Sequence, residues 1–417
     1  MHLTIVSPYP PTTTGIGQYG YYMSQSLADS AAFDRITVLT GHVHSQNTVD
    51  TQQTTSGKTN VHIERTWSDC QPANTGWRVA ARIRQLNPNV VWFNLGATSF
   101  GQSVVSNISG LLAPALVRRM GFPTVVTMHE MAELADLSQL RAPGGPFRRI
   151  GAHWVTRALT RADVVCVTLQ RYHDWLSTHN RGGFDNGTRC IHIPIGMYQQ
   201  ADPTAEPQQP SLLFFSTIAP YKGLELLLQT FQTLQTHRPE LTLTIAGVDH
   251  VRFPGYLAEL RRTYSALNGV NWIGYVPENN VGALFRQSMV VVLPYSAATG
   301  SSSVLYQAMM RGRAIVASDL PELQSAVDEG GLQVGFFHSG NHDNLARALT
   351  KMLDSAEIRR EHVAHNLKAL SCLRPCETAN AYLRAFLLAQ QLHHPVQRTC
   401  SQDEMRGIPQ VSTGSTF

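Results

Sequence analysis

The sequence has no apolar run long enough to cross a bilayer, and it has few charged residues. Its apolar stretches are short, such as Val290-Val-Val-Leu293, whereas a membrane helix needs about 20 residues. Only 15% of the 417 residues are charged and 43% are hydrophobic, which excludes disorder over most of the chain. The N-terminus lacks the basic and apolar regions of a leader peptide. We therefore expect a cytoplasmic protein of two domains.

Cysteine and lysine are also scarce. There are six cysteines, and Cys372 and Cys376 are the one close pair, without a matching His or Cys cluster to complete a zinc site. We predict free thiols and no metal site. Arginine is the usual cation in this chain, so a lysine in a loop is a candidate functional residue. Lys222 lies in a turn between two predicted elements.

Positive charge is concentrated in the first half of the chain. Residues 1–200 contain 16 Lys and Arg against 11 Asp and Glu, whereas residues 201–417 contain 17 against 18. The net charge of +4 is too small to indicate a nucleic-acid partner, and we expect none. The uneven distribution favours an anionic acceptor or a membrane surface on the N-terminal side.

Short apolar strands alternate with helical spacing, which is typical of parallel βαβ units. We predict strands at 3–6, 36–39, 90–93, 124–127, 164–167, 212–215, 241–245, 270–273, 290–293 and 314–317. We predict helices at 17–29, 76–86, 110–120, 147–160, 224–237, 255–267, 279–287 and 303–311. A segment rich in Pro and Gln, residues 199–210, interrupts the pattern and is the predicted linker.

This alternation predicts an α/β fold with two facing Rossmann-like domains and a cleft between them. We place the N-terminal domain at residues 1–198 and the C-terminal domain at 211–376. A last helix at 377–393 is expected to pack back on the N-terminal domain. The polar tail, 394–417, is predicted to be disordered.

Three loops join a predicted strand to the next helix and carry the candidate donor-binding residues. The first contains Gly15 and Gly17, whose backbone amides could approach a phosphate or sugar at a helix N-terminus. The alternative is an ordinary structural turn. The second, Pro220-Tyr-Lys222-Gly223, holds a lysine that could neutralise a departing diphosphate. Its alternative is a solvated surface lysine.

The third loop follows the strand at 290–293 and is rich in small residues. Glycine and three consecutive serines there expose amides and hydroxyls to a phosphate where the next helix begins. The candidate residues of this segment are Thr299, Gly300, Ser301, Ser302, Ser303, Val304 and Gln307.

A basic helix is predicted at 147–161, where Arg149, His153, Arg157 and Arg161 recur at a spacing of four and share one face. No acidic residue occurs in this segment. The purely structural interpretation is a helix face that is exposed to solvent. The alternative is peripheral contact with an anionic membrane.

The order and spacing of these segments resemble the family-4 retaining glycosyltransferases (glycosyl transferases group 1), which have the GT-B fold. The resemblance covers about residues 1–390. It is carried by Thr127-Met-His129-Glu130, Pro220-Tyr-Lys222-Gly223, Leu243-Thr-Ile-Ala-Gly247, Ile273-Gly-Tyr275-Val276, and the segment from Leu293-Pro-Tyr to Ala317-Ser-Asp319. Each motif is generic alone, but together and in order they are specific.

The resemblance implies roles for particular residues. His129 would approach the transferred sugar, the alternative being a surface or satisfied core histidine, and Tyr275 would join the donor site. The family has a Glu-x7-Glu pair that contacts the donor sugar and the ribose, and this chain has Thr299 and Gln307 at those positions. An arginine five residues before the lysine is replaced by Thr217.

The sequence thus predicts a metal-independent retaining glycosyltransferase that uses a nucleotide diphosphate sugar as donor substrate and no cofactor. Its acceptor would be a hydroxyl of a glycan or of a lipid-linked molecule, in polysaccharide, glycolipid or cell-envelope synthesis. Lys222, Thr299 and His129 are the predicted catalytic residues. We also expect the protein to act at the inner face of the membrane. The alternatives are a non-catalytic sugar-nucleotide-binding partner of a glycosyltransferase and a sugar-nucleotide epimerase of the same fold.

Overall fold

Two parallel sheets organise the chain. The computed structural model describes residues 1–12, 14–42, 52–54, 58–68, 72–131, 133–134, 146–179 and 189–393. Within these residues each sheet is flanked by helices, and the central strands are short, apolar and buried, as expected for parallel sheets covered on both faces. The predicted α/β fold with two Rossmann-like domains is confirmed.

The N-terminal domain is built on the first sheet. Its strands are β1 (His2–Val6), β2 (Arg35–Gly41), β3 (Gln52–Thr54), β4 (Val61–Trp67), β5 (Val90–Leu95), β6 (Thr124–Met128), β7 (Val164–Val167) and β8 (Cys190–His192). The strand order is β3-β4-β2-β1-β5-β6-β7-β8, with β3 antiparallel to β4. Its helices are α1 (Gly15–Asp29), α2 (Thr75–Leu86), α3 (Val104–Leu111), α4 (Ala113–Arg119), α5 (Pro146–Leu159) and α6 (Gln170–His179).

The C-terminal domain is built on the second sheet. Its strands are β9 (Ser211–Phe215), β10 (Thr242–Ala246), β11 (Val270–Gly274), β12 (Val290–Leu293), β13 (Ala314–Ser318) and β14 (Gly335–Phe337), in the order β11-β10-β9-β12-β13-β14. The helices are α7 (Leu224–Gln235), α8 (Tyr256–Thr263), α9 (Glu278–Arg286), α10 (Ser303–Met309), α11 (Pro321–Glu329), α12 (His342–Asp354) and α13 (Ala356–Ala369). Short 3-10 helices occur at Pro72–Asn74, Pro220–Lys222 and Leu370–Cys372.

The last helix, α14 (Pro375–His393), packs on the N-terminal domain. The hydroxyl of Tyr19 donates to that of Tyr382 at 3.0 Å, and the rings of Trp92 and Tyr382 lie 4.6 Å apart. The chain segment between the sheets is tied to the C-terminal domain, because Arg359 pairs with Glu206 at 2.7 Å. The chain therefore crosses between the domains twice. The predicted disordered tail, 394–417, lies outside the described residues.

Several elements differ from the sequence prediction. The helix expected at 110–120 is two helices, α3 and α4, because the chain turns at Leu112 and Pro114 opens α4. The prediction missed β4, α6, α11, α12 and α13, whose apolar residues are separated by polar ones, and the three-residue strands β3, β8 and β14, which are too short to show a pattern. The described cysteines are free thiols, and Cys70 and Cys400 lie outside the described residues.

The strand orders create one switch point in each sheet. In the first sheet β1 pairs with β2 on one side and with β5 on the other. In the second sheet β9 pairs with β10 and β12 in the same way. Ligands of open α/β sheets bind outside the carboxyl ends of strands at such points. The loops after β1, β9 and β12 are the three loops that carry the predicted donor-binding residues.

Candidate active site

The loops after β9 and β12 pack directly on each other. The backbone N–H of Ser296 donates to the carbonyl oxygen of Tyr221 at 2.9 Å. Gly223 has a φ of +69°, and a Cβ there would lie 1.8 Å from the carbonyl oxygen of Pro294. Glycine is thus required for both the conformation and the close approach. These contacts fix the position of the turn that carries Lys222.

Lys222 is half-buried and lies over an aromatic ring. Its Nζ is 3.9 Å from the ring centroid of Tyr295 and 5.6 Å from that of Tyr221, which are cation–π distances. Across the described part of the chain, no carboxylate lies within salt-bridge distance of this ammonium group. A positive charge is therefore held at the cleft without an anionic protein partner.

His129 is buried at the end of β6, with 6% of its surface exposed. Its Nε2 lies 2.6 Å from Oδ1 of Asn94, whose Nδ2 donates to the hydroxyl of Ser7 and to the carbonyl of Ile16. Because that amide oxygen accepts, Nε2 carries the proton and Nδ1 is the acceptor nitrogen. Burial lowers the pKa of His129 to about 3, so the ring is neutral near pH 7.

The third loop reaches across to the N-terminal domain at Thr299. Its Oγ1 donates to Oε1 of Glu130 at 2.9 Å, and the other carboxylate oxygen accepts from the N–H of Ala97 at 2.9 Å. The hydroxyl of Tyr172 donates to the carbonyl oxygen of Thr299 at 2.7 Å. Thr299 is therefore bonded through both its side chain and its backbone to the opposite domain.

The next residue, Gly300, lies against the backbone of His129. A Cβ at position 300 would be 2.2 Å from the carbonyl oxygen of His129. Only glycine permits this approach between the two domains. The structure thus brings three predicted site residues, His129, Thr299 and Gly300, into one place.

The first and third loops face each other across the cleft. A Cβ on Gly15 would lie 4.0 Å from the hydroxyl oxygen of Ser303, and the hydroxyl of Tyr198 donates to the carbonyl of Gly15 at 3.5 Å. The N–H of Gly17 donates to Oγ1 of Thr14, the N-cap of α1, at 3.1 Å. The backbone N–H of Gly17 is therefore already hydrogen-bonded within the loop.

The remainder of the third loop presents unpartnered polar atoms. Ser301, Ser302 and Ser303 are half-buried, and Val304 is buried. No acceptor meets the backbone N–H of Ser302, Ser303 or Val304 within the residues that the structure describes. Gln307 is 8% exposed, and its Oε1 is buried without a described donor. Such an orphaned acceptor is costly unless a ligand or water supplies the missing hydrogen bond.

Two residues near the C-terminal sheet, the predicted donor-site residue Tyr275 and the loop residue Asp249, lie apart from this cluster. Tyr275 follows the edge strand β11 and is 55% exposed, and in the described structure no hydrogen bond or ring contact joins it to the other predicted site residues. Asp249 accepts hydrogen bonds from the backbone N–H groups of Gly255 and Leu257, at 2.7 and 2.8 Å. It therefore organises the start of α8.

A second layer of contacts joins the domains beside the cleft. Arg171 pairs with Glu322 at 2.7 Å, and the N–H of Gln170 donates to Glu329 at 2.9 Å. Burial raises the pKa of Glu322 by more than Arg171 lowers it. On the other side of the cleft, the hydroxyl of Tyr22 donates to Glu278 at 2.6 Å. The cleft is therefore bridged on both flanks.

The predicted basic helix corresponds to α5. His153, Arg157 and the following Arg161 are exposed, while the side chain of Arg149 lies outside the described residues. Among the residues that the structure describes, no cluster of three or more His, Cys, Asp or Glu could hold a metal ion. None of the described helices is both long enough and apolar enough to span a bilayer.

Sequence reasoning missed several residues of the cleft. Glu130 was part of a motif, but nothing in the sequence indicated that its carboxylate would meet Thr299. Asn94 ends a strand beside the switch point, which is the signal that could have identified it. Arg171 and Tyr172 gave no such signal, because their partners come from the other domain.

Both domains match family models. The model described as "Glycosyl transferase 4-like domain" matches residues 14–187, and the model "Glycosyl transferases group 1" matches residues 209–355. A phosphatidyl-myo-inositol mannosyltransferase of Mycolicibacterium smegmatis is 27% identical over 146 residues. That match spans 35% of this chain and 36% of the mannosyltransferase, about a third of each.

Solved structures share the whole fold. Sucrose-phosphate synthase from Thermosynechococcus elongatus superposes with a TM-score of 0.72 at 15% identity, over 93% of this chain and 98% of that one. The Anabaena protein HepE, solved in complex with UDP and glucose, gives a TM-score of 0.67 at 14% identity, over 92% and 98% of the two chains. At these identities the likeness establishes the two-domain GT-B architecture.

Proposed function

We propose that the protein transfers a sugar from a nucleotide diphosphate sugar to a hydroxyl acceptor, on the premise that each of its two domains matches a glycosyltransferase family model. The donor class is supported by HepE, which was solved with UDP and glucose. A lipid acceptor is supported by the mannosyltransferase, which is named for a phosphatidyl-myo-inositol, and a glycan is the other acceptor class that we propose. The product would enter polysaccharide, glycolipid or cell-envelope synthesis.

One observation carries this proposal. Lys222 is a half-buried cation without a carboxylate partner in the described residues, and it lies where loops from the switch point of the sheet meet the cleft. Transfer from such a donor releases a nucleoside diphosphate, so negative charge grows on the phosphates in the transition state. A preorganised ammonium group there lowers the barrier because it needs no reorganisation at the moment of reaction.

The remaining donor contacts follow from the unpartnered atoms. The N–H groups of Ser302, Ser303 and Val304 would donate to phosphate oxygens beside Lys222. The Oε1 of Gln307 would accept from a ribose hydroxyl, which satisfies a buried acceptor. We propose that these contacts and Lys222 neutralise the charge of the diphosphate, so that no divalent cation is required. Addition of EDTA should then leave the rate unchanged.

The sugar itself would lie near His129 and Glu130. Because His129 is neutral and its Nε2–H is bonded to Asn94, its Nδ1 would accept from a sugar hydroxyl. Glu130 provides a carboxylate beside Thr299, and carboxylates form the stronger hydrogen bonds to hydroxyl groups. In this scheme Glu130 provides the negative group that the glutamate pair of the family would otherwise supply.

We further propose that the anomeric configuration is retained. The acceptor oxygen would bond to the anomeric carbon on the face from which the diphosphate leaves. As the carbon–oxygen bond to the phosphate breaks, the departing phosphate oxygen takes the proton of the acceptor hydroxyl. The stereochemistry of the isolated product, determined by the anomeric coupling constant in NMR, tests this step.

The proposal is tested in two stages with the full chain. A thermal-shift screen against nucleoside diphosphate sugars first identifies the donor, since a specific ligand raises the melting temperature by mass action. Transfer and hydrolysis are then measured for the wild type, Lys222→Ala and Lys222→Arg, with Lys351→Ala as the matched surface control.

We expect Lys222→Ala to lower turnover about 10²- to 10³-fold, the usual cost of one lost transition-state donor. Lys222→Arg should retain part of the activity, and Lys351→Ala should match the wild type. Near-normal turnover by Lys222→Ala would show that this loop does not face the diphosphate. A donor that raises the melting temperature but is never turned over would instead favour a binding protein, and an epimerised donor without acceptor would favour an epimerase.

A further inference from the structure

Neighbouring helices of the N-terminal domain expose a set of large apolar side chains. Of the eleven exposed large hydrophobic residues in the described chain, six lie on α2, α3, the turn after α3, and α5. We call this set the apolar patch, and its members are Trp77, Val104, Val105, Ile108, Leu112 and Trp154. More than half of the exposed apolar residues are thus concentrated on one part of one domain.

The helices that carry the apolar patch are neighbours. α3 contacts both α2 and α5, so it lies between the two that carry the tryptophans. Val104 and Ile108 lie one turn apart on the outer side of α3, and Leu112 continues this spacing at the residue that ends the helix. Trp77, Val104 and Trp154 are 67%, 69% and 65% exposed, values that a soluble surface rarely gives to clustered residues of this size.

The two sequence segments that carry the apolar patch contain charges of one sign. Residues 70–129 and 137–162 contain no Asp or Glu and five arginines each. Some of these arginines are used within the fold, since Arg82 pairs with Glu64 and Arg118 with Asp163. Others are exposed. Arg157 follows Trp154 by three residues and shares its face of α5, and the exposed Arg161 comes just after the helix ends.

We propose that the apolar patch is a docking surface for an anionic lipid bilayer. Tryptophan rings sit at the level of the lipid headgroups, aliphatic side chains enter the acyl boundary, and arginines pair with headgroup phosphates. The absence of carboxylates from both segments removes the repulsion that an anionic surface would otherwise meet. α5 therefore contributes one edge of the contact, while α2 and α3 supply most of its apolar area.

The test is sedimentation of the full chain with vesicles, without donor or acceptor, so that its result is independent of the proposed function. Vesicles of phosphatidylglycerol and phosphatidylcholine are compared with vesicles of phosphatidylcholine alone. The triple variant Trp77→Ala/Ile108→Ser/Trp154→Ala removes apolar contact, and Arg157→Gln/Arg161→Gln removes charge. Val251→Ser/Leu387→Ser is the matched control, because these exposed residues lie outside the apolar patch.

We expect the wild type and the control to bind the anionic vesicles equally, and the triple variant to bind at least tenfold more weakly. Loss of each arginine should weaken binding about fivefold, the change that ~1 kcal/mol per arginine produces. The arginine effect should disappear on vesicles of phosphatidylcholine alone. Brominated lipid should quench tryptophan fluorescence less in the conservative variant Trp77→Phe/Trp154→Phe than in the wild type. Because phenylalanine keeps an aromatic ring at both positions, this variant tests the proposal even if the triple variant fails to fold.

Three results would overturn the proposal. The first is a wild type that ignores anionic vesicles at low salt. The second is equal vesicle binding by the wild type and the triple variant. The third is self-association that depends on the apolar patch, seen by analytical ultracentrifugation, together with no vesicle binding, because the occupant would then be a second copy of the chain.

Discussion

Substitution of Gly300 by alanine tests how tightly the third loop must approach the N-terminal domain. The new Cβ would lie 2.2 Å from the carbonyl oxygen of His129, whereas such atoms do not approach closer than 3.0 Å. The loop must therefore retreat by about 0.8 Å or more, because His129 is anchored through its N–H to the carbonyl of Leu95 at the end of β5. A flexible side chain could move aside, but a backbone carbonyl in this position cannot.

That retreat acts on the adjacent interdomain bonds. The bonds from Thr299 to Glu130 at 2.9 Å and from Tyr172 to Thr299 at 2.7 Å would lengthen to or past the limit of a hydrogen bond. At about 1 kcal/mol each, their loss should lower the free energy of unfolding by about 1–2 kcal/mol. A displacement of about 1 Å of positioning groups costs on the order of 10²-fold in rate, and we expect that loss in kcat/KM.

The assay pairs steady-state kinetics with urea denaturation. Gly151→Ala is the control, because nothing lies within 4 Å of its new Cβ and alanine favours the helix α5. Thr299→Val separates the two effects, since it removes the hydroxyl donor and keeps the side-chain shape. If Gly300→Ala retains kcat/KM within twofold of the wild type, the contact between this loop and His129 is not part of the working enzyme.

Three further predictions concern the same cleft. Gln307→Ala should raise the donor KM more than it lowers kcat, because ribose contacts act equally in the ground state and the transition state. Thr299→Ala should mainly lower kcat. Steady-state kinetics that match the wild type for both variants would place these residues away from the donor. Glu130→Gln should lower kcat at least tenfold, because the charge is lost, and should lower the melting temperature slightly, because the single amide oxygen can accept from Thr299 or from Ala97 but not from both. The pKa of His129 is about 3 in the folded chain and near 6.5 in the unfolded chain, so the unfolded chain takes up the proton first as the pH is lowered. The free energy of unfolding should therefore fall by ~1.4 kcal/mol for each pH unit on going from pH 6.5 to pH 3. Denaturation of His129→Gln should show a shallower pH dependence, and an equal slope would contradict the buried neutral ring.

Much of the fold could be predicted because buried parallel strands are short apolar runs bounded by helical spacing. β5, in which all six residues are buried, and β12 illustrate this. The same rule missed β4, in which polar residues alternate with apolar ones because one side of the strand is partly exposed. It also merged α3 with α4, since the break at Leu112 depends on local backbone geometry that apolar spacing does not encode.

The candidate site was predictable only within each domain. Loops that follow parallel strands open at one edge of a sheet, so Lys222 and the third loop could be placed from local patterns. The bond between Glu130 and Thr299 joins residues 169 positions apart in different domains. It depends on how the two sheets face each other, and neither hydrophobic period nor turn chemistry specifies that relation.

The contact between Glu130 and Thr299 also gives a physical reason why position 299 holds a threonine and not a glutamate. A glutamate at that position would bring a second carboxylate to the oxygen that now accepts from the threonine hydroxyl at 2.9 Å. Two carboxylates at that distance cannot both be ionised, so one would take up a proton or the loop would move away. Gly300 leaves little room for such movement toward His129, and the hydroxyl of Tyr172 holds the backbone on the other side. With threonine, one negative charge remains, it receives a hydrogen bond from each domain, and the loop stays close to the buried histidine. Threonine at position 299 therefore lets a carboxylate from the N-terminal domain and the third loop of the C-terminal domain occupy the same part of the cleft.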